Sequence, residues 1–448
     1  MIPGVSMRAA SGFDTHDPPA QAVINTCVHC GFCLTTCPSY RVLGTEMDSP
    51  RGRIYQMNAI HQGESTLNAV TVSHFDTCLG CLACVTACPS GVRYDELIRA
   101  TRAQIQRNYP RPWPERLLRQ MVFQLFPYPE RLRWLAPWLW LYQQMGLARW
   151  LPGLLGRMAP PLGAMATLLP PLTFSQLLPQ PWPEVLPAQG TRRFRVGVIL
   201  GCVQRLFNPA VNRATVRVLQ AVGCEVVIPP QQGCCAALPQ HQGETAQAQT
   251  LARWMIDCFR HYDLNAILIN ASGCGHTLKE YGHLLADDRE YRELAQAFSR
   301  RVYDLQEFLA QIDLGVPLYP LADEPLVVVY QDACHMMHGQ QIRWQPRQLL
   351  RQIPGVELRE PLDAALCCGS AGVYNLLQPE IAQELGRQKV RHLLNTGAQV
   401  IASANIGCTV QIQHYLREQG ASVPVYHPVQ LLDWAMRRLP LQDVRRPL

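Results

Sequence analysis

The sequence predicts a helical, cysteine-rich N-terminal domain followed by an α/β region of two repeated lobes. Three observations carry this. Two runs of four cysteines, Cys27 to Cys37 and Cys78 to Cys88, share one spacing. Cys202, Cys234-Cys235 and Cys274 then recur as Cys334, Cys367-Cys368 and Cys408, at offsets of 132, 133 and 134 residues. Finally, apolar runs such as "FRVGVILGC", "CEVVIPP", "AILINASGC", "LVVVYQDAC" and "QVIASANIGC" alternate with helical stretches, the pattern of a mostly parallel sheet.

Composition narrows the setting. A chain of 448 residues suggests two or three domains, and 48% hydrophobic against 17% charged residues supplies a substantial core. Residues 1–20 read as a flexible lead closed by Asp17-Pro-Pro, without the apolar core of a secretory signal. A reducing, cytoplasmic setting is therefore expected, where the 18 cysteines are metal ligands or redox groups rather than disulfides. The net charge of +6 is modest and the arginines are scattered, so nucleic acid is not an expected partner. No run of about 18 apolar residues suggests a spanning helix.

Residues 21–108 hold the tight runs. Cys27-x-x-Cys30-x-x-Cys33-x-x-x-Cys37-Pro38 and Cys78-x-x-Cys81-x-x-Cys84-x-x-x-Cys88-Pro89 are the pattern that binds two [4Fe–4S] clusters. Three thiolates at i, i+3 and i+6 wrap one cubane. The fourth, before proline, starts the next helix and reaches the other cluster. The first cluster should therefore use Cys27, Cys30, Cys33 and Cys88, and the second Cys37, Cys78, Cys81 and Cys84. Gly31 and Gly80 suit a crowded loop. Zinc sites normally use cysteine pairs, not a triplet plus Cys-Pro. The long interval between the runs includes "SPRGRIYQMNAI", with helical spacing, so the module reads as α-helical ferredoxin-like, as in respiratory dehydrogenases. Arg51 and Arg53 either offset cluster charge or face solvent.

Residues 109–190 change character, with Pro, Trp and Leu dominant and no matching motif. Trp113, Trp134, Trp138, Trp140 and Trp150 lie among arginines, which suits a bilayer interface; packing between domains or against a partner suits the same side chains. The first lobe is expected over 192–320 and the second over 321–440, closing with similar tails, "VYDLQEFL" at 302–309 and "VYHPVQLL" at 425–432. The matched cysteines should sit on loops beyond the strand ends, where open sheets place ligand sites. A further cluster, a redox thiol pair and buried inert cysteines all fit. Gly369 permits a sharp turn after Cys367-Cys368, and in the first copy the glycine, Gly233, has moved upstream. Cys224 and Cys258 have no repeat partner and read as core. His276, His335, His338 and His427 stand as ligand, proton donor or cap.

Together "CVHCGFCLTTCPSY", "DTCLGCLACVTACPSGVRYDELI", "GCCAA", "SGCG", "DACHMMHGQ", "CCGSAGVYN" and "IGC" resemble the iron–sulfur subunit of bacterial glycolate oxidase (glycolate dehydrogenase). The lobes resemble the CCG-type domains shared with heterodisulfide reductase, the third subunit of anaerobic glycerol-3-phosphate dehydrogenase and lactate-utilisation proteins. The resemblance implies an electron-transfer subunit that is not catalytic alone. It would take electrons from flavoprotein subunits, carrying FAD, that oxidise glycolate to glyoxylate, and pass them to quinone or another membrane acceptor. The implied place is cytoplasmic or peripheral on the cytoplasmic membrane face. The same role for lactate or glycerol 3-phosphate, or a CCG-type thiol/disulfide reductase, are the alternatives. Heterodisulfide reductase-type lobes end in Cys-x-x-Cys, whereas here the ends are Cys274-Gly-His-Thr277 and Cys408-Thr-Val-Gln411, which disfavours heterodisulfide chemistry. No G-x-G-x-x-G follows a strand, so a dinucleotide site is not expected on this chain.

Overall fold

The computed structural model of the chain describes residues 12–158, 160–178 and 181–444. Of the lead expected over 1–20, residues 1–11 lie outside the described residues. The chain divides into two compact units. The first runs to Arg119 and takes in Leu238–Thr245; the second holds Gln120–Ala237 and everything from Ala246. The boundary expected at residue 108 thus falls at Arg119. From Gln120 onward the Pro/Trp-rich segment belongs with the lobes.

The described residues of the cysteine-rich part of the first unit form helices joined by loops, with no strand. Helices Pro38–Leu43, Pro50–His61, Ala69–Asp76, Ala83–Ala87 and Tyr94–Asn108 follow one another. Local chemistry sets their starts. Ser49 Oγ accepts the Gly52 N–H at 3.0 Å and Pro50 takes the first helical position. Asn68 and Thr71 form a capping box. The helices bury Met57, Ile60, Phe75, Leu97 and Ile105 together. Cys37 is the N-cap of Pro38–Leu43, as its Cys-Pro sequence predicts. Cys88 departs from that expectation: it closes the Ala83–Ala87 helix, Pro89 enters a turn, Gly91 takes a positive φ of 67°, and the next helix waits until Tyr94.

The second unit contains two sheets. The first has the order β1 (Val185–Leu186), β3 (Cys224–Val227), β2 (Phe194–Ile199), β4 (Ala266–Ile269), β5 (Val302–Asp304), parallel except for β1, which pairs antiparallel with β3. The second has the order β7 (Val356–Arg359), β6 (Leu326–Gln331), β8 (Val400–Ser403), β9 (Val425–Tyr426), all parallel. Removing β1 leaves two sheets of identical order, the structural counterpart of the sequence repeat. The tails repeat as well. β5 leads into a helix capped by Asp304 with Glu307, and β9 into one capped by His427 with Gln430.

Three expectations shift. β2 ends at Ile199, short of Cys202. Cys274 and Cys408 lie in the first turns of helices Ser272–Lys279 and Ile406–Glu418 rather than at strand ends. The first lobe begins with β1, before residue 192.

The lobes share one core that includes Val196, Leu219, Val328 and Leu432. Arg217 clamps Asp433 with two hydrogen bonds of 2.6 and 2.8 Å. The Pro/Trp-rich segment forms helices Trp113–Leu125, Pro129–Gln144, Leu151–Met158 and Pro160–Leu168. Leu132 and Ala136 pack on Val203, Leu206 and Phe207. Pro160–Leu168 packs on Tyr374–Leu377 and Ile406–Glu418. Among the described residues no helix is long and apolar enough to cross a membrane.

The tightest glycine requirement in the first unit is at Gly52, where an added Cβ would lie 2.1 Å from the Glu46 carbonyl oxygen. Gly52→Ala should lower the denaturant midpoint, at a cost of about 1–3 kcal/mol, because backbone rather than a movable side chain must give way. An unchanged midpoint would contradict this packing.

Candidate metal centres

The two runs share a backbone conformation. Left-handed φ occurs at the second and fourth positions after the first cysteine: His29 (54°) and Gly31 (83°) in one run, Gly80 (65°) and Leu82 (64°) in the other. Each run thus places glycine at only one of two strained positions. The Gly31 and Gly80 sites are crowded by cations: an added Cβ would meet Arg51 Nη1 at 2.9 Å and Arg102 Nη1 at 3.3 Å.

The structure brings Cys88, from the second run, to the cysteines of the first. Cys27, Cys30, Cys33 and Cys88 line one hollow with Arg51 and Tyr94, and Cys84 reaches the same hollow. Cys37, from the first run, comes close to the second: Cys81, Cys78, Cys37 and Cys33 add like-charge repulsion to the burial that pushes the Cys84 thiol far above its ordinary range. Exposure differs between the sets. Cys30 is exposed, flanked by exposed Val28 and Phe32, whereas Cys37, Cys78, Cys81 and Cys84 are all buried.

Donors and cations surround these sulfurs. Gly80 N–H and Val92 N–H point at Cys78 Sγ and Cys88 Sγ, both at 3.4 Å. Tyr94 Oη lies 3.7 Å from Cys78 Sγ. Arg53 is fully buried, which excludes the solvent-facing reading; it donates to His74 O (2.6 Å), Ser39 Oγ (3.0 Å) and Thr77 Oγ1 (2.8 Å). Arg51 is partly exposed, pairs with Glu46 at 2.7 Å and donates to His29 O at 3.0 Å. Arg102 donates to the carbonyls of Cys78 and His241. Burial opposes ionisation of Cys78, but Arg53, Arg102, the Gly80 N–H and the Tyr94 hydroxyl outweigh it and hold this thiol below its usual value. Thiolates with such partners fit a cubane held one cysteine per iron.

Each lobe gathers its four matched cysteines into a chain of thiols. Cys202 Sγ lies 3.5 Å from Cys234 Sγ, and hydrogen bonds between free thiols link Cys234 to Cys235 and Cys235 to Cys274. In the second lobe the order is Cys334, Cys367, Cys368, Cys408. The turn after each pair is also repeated, with φ of 66° at Ala236 and 86° at Gly369. Ala236, not Gly233, is therefore the counterpart of Gly369. Gly233 instead admits the Trp254 ring, 3.0 Å from where its Cβ would lie.

Electrostatics separate the lobes. In the second, Lys389 is wholly buried, donates to Ala364 O at 2.8 Å and directs its charge at Asp332, Cys368, Cys408 and Cys367. Hydrogen bonds from Cys334 and Cys368 lower Cys367, and those of Cys368 lower Cys408, while Cys368 is raised. At the offset of 134 that relates Cys408 to Cys274 and aligns the buried positions of the two helices, the position matching Lys389 in the first lobe is Met255. There the hydrogen bond to Cys234 and burial raise Cys202, with Arg205 the opposing cation.

The histidines take different roles. The His276 and His335 rings meet across the lobe junction with centroids 5.1 Å apart. His427 is a buried cap: Nδ1 accepts the Val429 N–H at 3.1 Å and Nε2 faces Asn270 O at 3.0 Å. Burial lowers its pKa to about 3, so the ring is neutral. His338 is buried, with its pKa lowered by the same cause. Cys224 lies in the β3 core, and Cys258 is half-buried.

Arg102, Arg205 and Lys389 escaped the sequence reading. Lys389 carried a usable signal, since the chain has only two lysines, Lys279 and Lys389, among its many arginines.

The fold and these sites define a 4Fe–4S dicluster protein with two cysteine-rich domains. The family model "4Fe-4S dicluster domain" matches residues 23–92, and "Cysteine-rich domain" matches 196–279 and 328–413. The segment without a recognised motif matches "Glycolate oxidase iron-sulfur subunit, linker region" over 114–169. A probable glycolate oxidase iron–sulfur subunit of Bacillus subtilis is 37% identical over 91% of this chain and 92% of its own length. The glycolate oxidase iron–sulfur subunit of Escherichia coli is 35% identical over 94% and 96%. Lactate utilization protein A of an Exiguobacterium species is 27% identical over 54% of this chain and 98% of its own length. The chain belongs to the family of glycolate oxidase iron–sulfur subunits.

The crosswise sets make a pairing test. Cys30→Ser and Cys88→Ser should disturb the same EPR signal, although their residues come from different runs. Cys81→Ser and Cys37→Ser should disturb the other. Pairing by run instead, Cys30 with Cys37 and Cys81 with Cys88, would refute the arrangement.

Proposed function

We propose that this chain is the electron-transfer subunit of a glycolate dehydrogenase complex. It takes electrons from a flavoprotein partner, carrying FAD, that oxidises glycolate to glyoxylate, and delivers them to a membrane acceptor such as quinone. Removing two electrons and two protons from a 2-hydroxy acid needs a two-electron acceptor such as a flavin. Iron–sulfur clusters supply one-electron redox steps when bound, at potentials tuned by hydrogen bonds, charge and solvent exposure. On this reading Cys27, Cys30, Cys33 and Cys88 hold one [4Fe–4S] cluster, Cys37, Cys78, Cys81 and Cys84 a second, and the lobe quartets a further redox site.

The observation that carries the proposal is the graded exposure of the two sets. Exposed Cys30 between Val28 and Phe32 gives a partner an apolar approach to one set, while the other is shielded. Arg53 and Arg102 stabilise negative charge at Cys78 inside the unit. For the acceptor end, Glu130, Arg133, Trp182, Arg205 and Gln232 line a cavity of about 280 Å³, and Arg205 is the cation that faces Cys202. Such a mixed apolar and hydrogen-bonding lining suits a ring with carbonyl groups. We place the chain on the cytoplasmic side, peripheral to the membrane.

The similarity to lactate utilization protein A keeps lactate as a second substrate for the partner, but it is weaker and spans half of this chain. Thiol/disulfide reduction is less well supported, because neither lobe carries the second cysteine of a closing Cys-x-x-Cys.

Two outcomes test the proposal. The purified chain alone should show no glycolate-dependent dye reduction, and adding the flavoprotein subunits should restore it. In the restored complex, Cys368→Ala should abolish electron delivery to quinone while both ferredoxin EPR signals persist. Glycolate turnover by the flavin-free chain, or full quinone reduction in the variant, would refute it.

A further inference from the structure

The Pro129–Gln144 helix has two apolar faces, and the lobes cover only one. Leu132 and Ala136 are buried against Val203, Leu206 and Phe207. On the opposite side Trp134, Trp138, Leu141 and Met145 follow one another at i, i+4, i+7 and i+11, and are 80%, 70%, 42% and 62% exposed. A helix with one packed stripe needs no second one, and large apolar residues in a row on solvent mark an interaction surface. Trp150 and Leu154 continue the exposed apolar surface along the chain, at 59% and 48%.

Charge distinguishes the occupants of such a face. Between Glu130 and Glu184 the sequence contains four arginines and no aspartate or glutamate. Of these, Arg131, Arg133 and Arg157 are exposed. A carboxylate-free stretch bearing guanidinium groups and projecting tryptophans complements an anionic surface with an apolar interior. That is the chemistry of a bilayer with anionic headgroups, where indole rings sit at the interface and arginines meet phosphate. Pro137 inside the helix and the breaks before Leu151 and Pro160 give short segments that lie on a surface.

We propose that the outer face of Pro129–Gln144, continued by Trp150 and Leu154, docks this chain directly on anionic lipid. The inference rests on the membrane-acceptor reading and adds the surface that makes the contact. The inner side of the same helix lines the cavity beside Arg205, so docking would bring that cavity to the headgroup region.

The test uses the full chain with vesicles of phosphatidylethanolamine and phosphatidylglycerol, against pure phosphatidylcholine. Wild type should float with the anionic vesicles at low salt and less at high salt. Trp134→Ser/Trp138→Ser should lower the partition constant by about tenfold or more, since two rings leave the interface. Their exposure leaves folding intact, checked by circular dichroism and iron content. Independently, bromine-labelled lipids should quench wild-type tryptophan fluorescence, and do so less in the variant. Wild type that neither floats nor is quenched overturns the proposal, as does a variant that floats equally well. A variant that floats normally but no longer binds its flavoprotein partner also overturns it and assigns the face to protein. Persistent quinone reduction by the complex in any of these cases would leave the electron-transfer reading standing.

Discussion

The constraint on which this structure depends is the burial of sulfur that must carry negative charge. A thiolate removed from water is costly unless hydrogen bonds and cations replace its hydration. The arrangement around Cys78 shows how the chain meets this. Arg53, fully buried, is itself held by three hydrogen-bond acceptors, one of which, Ser39, lies two residues beyond Cys37. Arg102 reaches back from the Tyr94–Asn108 helix to the Cys78 carbonyl. The helices of the first unit hold cations rigidly against the loops, and their apolar core supplies that rigidity.

The lobes meet the same constraint twice with one scaffold and different charges. The strand order, the capped tail helices and the left-handed residue after each cysteine pair are common to both. The cation is not. Lys389 stands inside the second lobe at a position that is methionine in the first, where Arg205 is the cation that acts on Cys202. Two sites built on one plan are thereby given unequal environments.

Much of this was legible in the sequence because its signals were covalent or periodic. The cysteine spacing foretold a dicluster module, and the offset near 133 residues foretold two cysteine-rich lobes. Less visible was whatever depends on geometry between distant segments. The short edge strand β1 and strands β5, β7 and β9 are too brief, or too exposed in β7, to stand out as apolar runs. Ala236 in a left-handed conformation cannot be read from an alanine, so Gly233 drew the attention instead. Arg102 looks like any helical arginine until the fold brings Cys78 to it. The tryptophans of the Pro129–Gln144 helix could be read as packed or as exposed, and only the helix's two stripes separate Leu132 and Ala136 from Trp134 and Trp138.

The central claim is that the paired cysteine sets of the first unit hold iron–sulfur clusters. It is tested most directly by iron and acid-labile sulfide analysis of the full chain, purified anaerobically. The account predicts about eight iron and about eight sulfide per chain at minimum, the content of two [4Fe–4S] clusters. Zinc without acid-labile sulfide would contradict it.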